Sequence, residues 1–167
     1  EYLGKQYFGN ETLSPDEYKQ SKEISFRILY GGVPKEFLTI PFFKAVNDFI
    51  FKFWKSWLTK KHFKTYLYER KVEMSTLKDM KPQKLFNYYI QSMETEASSE
   101  AMAEVIKVLD GYNTKLILYT YDSFTFDFDP TDGKELILKI KMAMKYPTKI
   151  AYGVNYGKLN DVSDRFC

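Results

Sequence analysis

The sequence has little cysteine and histidine, the two residues that most often bind zinc and that often take part in nucleophilic catalysis. In 167 residues it has one cysteine, Cys167 at the last position, and one histidine, His62. A single cysteine excludes an internal disulfide framework and indicates a reducing compartment. A single histidine excludes a HExxH zinc site and disfavours a Ser-His-Asp triad. Any chemistry is therefore expected to depend on carboxylates and bound metal ions.

Long apolar runs are also missing. No stretch reaches the roughly 18 residues of a membrane span, and the start, Glu1–Gly4, has neither an initiator methionine nor a signal-peptide pattern. We expect no membrane association, a cytoplasmic location and a chain that is a piece of a longer protein. The 44% hydrophobic and 18% aromatic residues suffice for a folded core and exclude a disordered chain.

Basic and aromatic residues interleave in one segment although the net charge is only +3. Glu69 is the single acidic residue between positions 52 and 71. The basic residues there are Lys52, Lys55, Lys60, Lys61, Lys64, Arg70 and Lys71, and the aromatic ones are Phe53, Trp54, Trp57, Phe63, Tyr66 and Tyr68. Such a mixture is typical of nucleic-acid binding, because cations neutralise phosphates and rings stack on bases. The alternative is a solvated lysine face on a helix whose aromatic face is buried.

Sequence patterns in the first half of the chain predict mainly helices. Ser14, Pro15 and Glu17 form a helix start with a capping box, and Gly31-Gly32 provide its end. After a short turn near Pro34, apolar residues at helical spacing predict a second helix from Pro41 to about Lys60. Alternation from His62 to Met74 then predicts a strand or hairpin.

The second half mixes helices and strands. We predict a helix over 82–109, a buried-type strand over 115–120, a turn at 121–123 and an aromatic strand over 124–129 with Asp127 and Asp129 outward. A helix from 132 to about 145 and an edge strand over 149–156 follow. The predicted fold class is α+β, a helical part followed by a small antiparallel sheet packed against long helices.

One helix face combines cations with aromatic rings. Lys22, Phe26 and Tyr30 are spaced by four residues, and Lys19 lies one turn before Lys22. Eight residues at a rise of 1.5 Å separate Lys22 from Tyr30 by about 12 Å, close to the length of a nucleoside triphosphate. The alternative is an amphipathic helix with aromatic residues in the core and lysines in solvent.

Two further positions suggest binding chemistry. Asn87 and Gln91 are four apart on the 82–109 helix, and amides can donate to the minor-groove acceptors of every base pair. Asp122 lies in the turn between two strands, where it can be a Mg²⁺ ligand. The alternatives are two surface amides and an aspartate that only makes the turn.

These segments, in this order, resemble family A DNA polymerases, and most closely their phage members. Lys22–Gly31 is similar to the family's motif B helix, with Lys, then Phe, then Tyr-Gly, and Leu118–Ser123 is similar to motif C, an apolar strand that ends in an aspartate. Asn87 and Gln91 have the spacing of the family's Asn and Gln pair. The resemblance implies fingers over 1–80, with the motif B helix at 14–30, and palm over 81–167, with the motif C hairpin at 115–129.

The resemblance also implies roles for these residues. Lys22, assisted by Lys19, would bind the triphosphate of a deoxynucleotide, Phe26 would pack on its sugar, and Tyr30 would lie beside the templating pair. Asp122 would be a ligand of one of two catalytic Mg²⁺ ions, and the primer–template would contact Asn87, Gln91, Lys60, Lys61, Lys64 and Arg70. The implied reaction is template-directed DNA synthesis by two-metal phosphoryl transfer.

The chain departs from the family pattern at three positions. Tyr18 stands where the family has an arginine, Tyr121 replaces the histidine before the aspartate, and Ser123 replaces the glutamate of the bacterial enzymes. The motif A aspartate is expected upstream of Glu1, so the chain alone should be inactive and should need the rest of the palm, a thumb and, optionally, an exonuclease. The alternatives are a single-subunit RNA polymerase, which Phe26 disfavours, and a non-catalytic nucleic-acid-binding module with a degenerate polymerase core.

Overall fold

A computed structural model describes residues 2–166 of the chain. They form two compact units, one that ends at Met93 and one that begins at Glu94. The elements, in chain order, are α1 (Tyr2–Phe8), α2 (Pro15–Gly31), α3 (Pro41–Lys60), β1 (His62–Lys64), β2 (Lys71–Glu73), α4 (Pro82–Val108), β3 (Lys115–Thr120), β4 (Ser123–Asp127), α5 (Gly133–Ala143), β5 (Ala151–Tyr152) and β6 (Asn160–Asp161). The predicted α+β class is confirmed, and Cys167 lies outside the described residues.

Helix α2 begins with the predicted capping box. The Glu17 N–H donates to Ser14 Oγ over 3.3 Å, and the Ser14 N–H donates to Glu17 Oε2 over 2.8 Å. These bonds satisfy two donors that a helix start leaves unpaired. The hydrogen bond from the Ser14 backbone, followed by that from its hydroxyl, lowers the pKa of Glu17. The helix ends at Gly32, whose φ of 103° suits glycine.

Helix α1 was not predicted, because nothing in its sequence signals a helix start. It packs on α2 through Gly4, which is buried. A side chain at Gly4 would overlap Leu13 and press on Ser21, itself buried in α2. The absence of a side chain at position 4 therefore permits close contact between α1 and α2.

The core of the first unit lies between α3, the β1–β2 hairpin and the start of α4. Its fully buried members are Trp57, Phe63, Val72 and Leu85. The partly buried residues around them are Phe53, Trp54, Met74, Leu77, Met80, Tyr88 and Tyr89. Four of the six aromatic residues that interleave with lysines thus belong to this core, so for those four the interpretation as a buried aromatic face is confirmed.

In the second unit β3 and β4 form the predicted antiparallel hairpin, with a register shift between Leu116 and Leu118. The prediction that β3 is a buried strand is wrong, since Ile117 is 61% and Leu118 is 44% exposed. The prediction of outward Asp127 and Asp129 implies an alternation with inward Phe124 and Phe126 and outward Thr125. β4 does not show this alternation, since Phe124, Thr125 and Phe126 are all half-buried. The reason is that this hairpin is a two-stranded sheet by itself within the described residues.

The predicted edge strand over 149–156 is wrong as well. Only Ala151 and Tyr152 form a strand, and they pair with Asn160 and Asp161 instead of with the β3–β4 hairpin. The chain turns back between them, where the Gly157 N–H donates to Asn155 Oδ1 over 3.1 Å. Asn and Gly favour such turns, and a short loop costs little closure entropy. Residues 2–166 therefore contain three separate two-stranded sheets instead of one.

Two aspartates between β4 and α5 accept hydrogen bonds that fix the local conformation of the chain. The Asp132 carboxylate accepts from the Thr114 N–H and hydroxyl, each over 2.6 Å. Partial burial raises the pKa of Asp132, but the hydrogen bonds from Thr114 and Asn113 outweigh it and the pKa is lowered. The Asp129 carboxylate accepts from the Thr131 N–H over 2.9 Å. Asp129 is half-buried, so the prediction that it faces solvent is wrong, whereas Asp127 is exposed as predicted.

Within residues 2–166 we find no helix with both the length and the apolar character that a bilayer crossing requires.

Candidate nucleotide and nucleic-acid site

Helix α2 presents an exposed row of side chains four residues apart, which we call the α2 ridge: Tyr18, Lys22, Phe26 and Tyr30. Phe26 is 52% and Tyr30 is 45% exposed, and their rings stack with centroids 6.2 Å apart at 27°. The same helix buries Ser21 and Ile28 on another face. The alternative in which the aromatic residues of this helix form core is therefore wrong for Phe26 and Tyr30.

Among residues 2–166, no carboxylate forms an ion pair at the cationic end of the α2 ridge. Lys22 Nζ lies 5.8 Å from the centroid of the Tyr18 ring, where a cation–π attraction holds it. Neither Lys22 nor its exposed neighbour Lys19 forms an ion pair within the part of the chain that the structure describes. The two ammonium groups can therefore receive an anionic ligand without first breaking a salt bridge.

Asn87 connects α4 to the end of α2. Its Nδ2 donates to the Tyr30 carbonyl over 3.1 Å, and this is one of the carbonyls that a helix end leaves unpaired. Gln83, one turn earlier on α4, approaches Gly32, where a Cβ would lie 3.2 Å from its amide nitrogen. The sequence did not predict this contact, because no local pattern links residues 57 positions apart. Gln91, the other predicted amide, is exposed on the same helix.

Asp122 stands at the tip of the β3–β4 hairpin, in the second unit. Thr120 pairs with Ser123, so Tyr121 and Asp122 form a two-residue connection, and Tyr121 has a φ of 55°. The Ser123 hydroxyl donates to the Thr120 carbonyl over 3.0 Å, which closes the turn. Asp122 is exposed. The turn thus presents the carboxylate on a short paired scaffold.

The described residues fit a divalent cation only in part. Between positions 2 and 166 no three His, Cys, Asp or Glu side chains come together as a metal site. Mg²⁺ is commonly bound by one or two carboxylates, with waters and substrate phosphates as the other ligands. Asp122 can be one such carboxylate, and a second would have to come from outside the described residues.

The four basic residues predicted to contact DNA gather around one hairpin, and all are exposed. Lys60 ends α3, and Lys61 follows in the left-handed conformation with a φ of 62°. On β1, Lys64 forms an ion pair with Glu69 over 3.1 Å. The Arg70 N–H donates to Thr65 Oγ1 over 2.9 Å across the hairpin loop. The charge of Lys64 is therefore partly compensated, whereas Lys60 and Lys61 have no ion pair within residues 2–166.

The fold is similar to that of a solved polymerase domain. A structure described as the POL domain of Pol1 from M. smegmatis, in complex with DNA primer-template and dNTP, matches 87% of this chain with a TM-score of 0.69 and 16% identity. The chain spans 31% of that protein chain. No family model matches the sequence, and no curated protein matches it. The similarity thus establishes a fold shared with part of a bacterial DNA polymerase domain.

Proposed function

We propose that this chain is the nucleotide-binding fingers portion and part of the palm of a template-directed DNA polymerase. The observation that carries the proposal is the exposed α2 ridge on a fold similar to a polymerase domain. Lys22 at one end of the ridge has no ion pair within residues 2–166, and the rings of Phe26 and Tyr30 stack at the other end. In that polymerase structure both a primer-template and a dNTP are bound. The order of the segments along the chain agrees with the same interpretation.

The α2 ridge would bind the incoming deoxynucleotide lengthwise. Lys22, with Lys19 beside it, would contact the triphosphate, because an ammonium group is a compact charge that phosphate oxygens attract. Phe26 would pack on the sugar, and Tyr30 would lie next to the base being copied. Since each of these two residues is about half exposed, both can contact a ligand without any change in the core.

The primer–template would lie against α4. Gln91 is exposed there and can donate to minor-groove acceptors that all base pairs share, so it would bind duplex DNA without reading its sequence. Asn87 has a second amide hydrogen beside the one donated to Tyr30, and it would contact DNA while it fixes the end of α2. The nucleotide site and the duplex site would thereby be coupled through Asn87.

The proposed reaction is in-line attack of the primer 3′-hydroxyl oxygen on the α-phosphorus. The hydroxyl gives its proton to solvent water, and its oxygen forms a bond to the α-phosphorus. The bond from the α-phosphorus to the oxygen that bridges the α- and β-phosphates breaks, and pyrophosphate leaves. Asp122 would hold one Mg²⁺, and an aspartate outside this chain would be needed for a second. When bound, the two ions would lower the pKa of the hydroxyl and neutralise the phosphates.

The test is primer extension by the complete gene product with Asp122→Asn. We expect extension to fall by roughly 10²–10³-fold, the loss typical when a group that stabilises transition-state charge is removed. Asp127→Asn changes another exposed carboxylate of the same hairpin and should leave the rate within about twofold, as surface changes away from a site usually do. Equal rates for Asp122→Asn and the unchanged protein would contradict the proposal.

The 167-residue chain alone provides a second arm of this test. We expect it to incorporate no nucleotide, because one aspartate cannot hold both metal ions. Template-dependent incorporation by the chain alone would contradict the need for an aspartate from another segment.

A further inference from the structure

The loop of the β1–β2 hairpin has an exposed aromatic ring next to buried, hydrogen-bonded residues. Phe63 and Thr65 are buried, whereas Lys64 and Tyr66 are exposed, and Tyr66 is 77% exposed. The Thr65 N–H donates to the Arg70 carbonyl over 3.0 Å, and Thr65 Oγ1 accepts from the Arg70 N–H. Because both bonds close the loop over a buried threonine, the Tyr66 ring is presented to solvent from an ordered hairpin.

The segment that contains this ring is rich in basic residues. From position 60 to 71 there are five basic residues, Lys60, Lys61, Lys64, Arg70 and Lys71, against Glu69 alone. Lys64 forms an ion pair with Glu69, and Lys71 forms one with Glu73 just outside this segment. Lys60 and Lys61 have no ion pair among residues 2–166. Phe53, Trp54, Trp57 and Phe63 belong to the core, whereas Tyr66 does not. A hairpin with an exposed ring in its loop and two cations at its base fits a polyanion whose bases are accessible to stacking.

We propose that the β1–β2 hairpin binds single-stranded DNA, with Tyr66 stacked on an unpaired base and Lys60 and Lys61 in contact with phosphates. A single strand fits better than a duplex, because the faces of paired bases are already covered by their neighbours. The identification of this strand as unpaired template rests on the proposed polymerase function. The binding itself rests on the hairpin alone.

The experiment measures fluorescence anisotropy of the full chain with labelled oligo(dT) of about 12 nucleotides, within the usual site sizes of single-strand binders. A matched oligomer without bases and a duplex of equal length are measured beside it. Tyr66→Leu should weaken oligo(dT) binding about fivefold to tenfold, the lower end of the loss for one stacked base. The oligomer without bases should bind equally well to both proteins, and Tyr66→Trp should restore oligo(dT) binding.

The two lysines are tested through salt dependence. For the double variant Lys60→Gln with Lys61→Gln, the slope of log K against log salt should decrease by about 1.4, since each phosphate contact on a single strand contributes about 0.7. This variant should weaken binding of both oligomers. Matched controls, Tyr156→Leu and the pair Lys134→Gln with Lys158→Gln, change exposed residues of the same types elsewhere and should change neither affinity nor slope.

Two results would overturn the inference. One is a Tyr66→Leu variant that keeps its thermal midpoint and binds oligo(dT) as well as before, the result expected if the ring serves a protein partner. The other is a double lysine variant with an unchanged salt slope. Failure of primer extension by the complete gene product would refute the polymerase proposal and leave these affinities as they are, so the two failures can be distinguished.

Discussion

Replacement of Lys22 by alanine provides a direct test of how the α2 ridge works. The ammonium group of Lys22 lies over the Tyr18 ring and has no carboxylate partner within residues 2–166. In the proposed complex this group leaves the face of the Tyr18 ring and contacts the triphosphate. The variant therefore loses a cation at the phosphate end, while Phe26 and Tyr30 remain stacked at the other end of the helix.

The size of the effect follows from two opposing contributions. A hydrogen bond to a charged group contributes about 1.5–3 kcal/mol, which corresponds to roughly 10- to 150-fold in binding. The cation–π contact given up in the free protein is worth about 0.5–1 kcal/mol at an exposed position. The net loss is about 1–2 kcal/mol, so we expect kcat/KM for the deoxynucleotide to fall about fivefold to thirtyfold.

The assay is single-nucleotide primer extension with the complete gene product over a range of dNTP concentrations, beside anisotropy with primer–template alone. Duplex affinity should stay within about twofold, and Lys22→Arg should keep much of the activity, because an arginine also binds phosphate. Lys134→Ala, an exposed helical lysine of α5, is the matched control. An unchanged kcat/KM, or an equal loss of duplex affinity, would refute the assignment of Lys22 to the triphosphate.

Two further predictions concern contacts inside the units. Asp132 has a lowered pKa, so its hydrogen bonds to Thr114 stabilise the fold above the unfolded pKa of about 3.9 and are lost as pH falls through the folded value. Asp132→Asn should therefore lower the urea midpoint at pH 7, and its midpoint should fall less steeply with decreasing pH between about pH 5 and about pH 2 than that of the unchanged protein. Parallel curves of midpoint against pH for the two proteins would contradict this. Asn87→Ala should cost about 0.5–1.5 kcal/mol in urea unfolding, since it removes the bond to the Tyr30 carbonyl. It should also speed hydrogen exchange in the last turn of α2, and unchanged exchange there would contradict the role of Asn87 in fixing that end.

What the sequence predicted well is local. The capping box of Ser14 and Glu17 is complete within four residues, and the start and end of α2 follow from it and from Gly32. The bounds of α3 follow from its starting proline and from helical periodicity, and α4 also begins at a proline. Periodicity also allows two interpretations of the α2 ridge, and only the exposure of Phe26 and Tyr30 in the structure excludes a core role for them.

What the sequence did not predict depends on distant contacts. An apolar run such as Leu116–Leu118 looks the same whether or not another layer covers it, so the exposure of β3 could not be read from composition. The pairing of Ala151 with Asp161 depends on a turn at Asn155 and Gly157 that the pattern over 149–156 does not reveal. The roles of the site residues, including Asp122, stay predictions that the experiments above address.

The connection before Asp122 carries a conformational cost. Tyr121 has a φ of 55°, a region that a residue with a Cβ occupies at a cost of order 1 kcal/mol and that glycine occupies freely. A hairpin selected for stability alone would have glycine or asparagine at this position. The chain instead has a large, exposed ring next to the carboxylate. The hairpin tip therefore retains the Tyr121 side chain although the backbone conformation at position 121 is unfavourable for it.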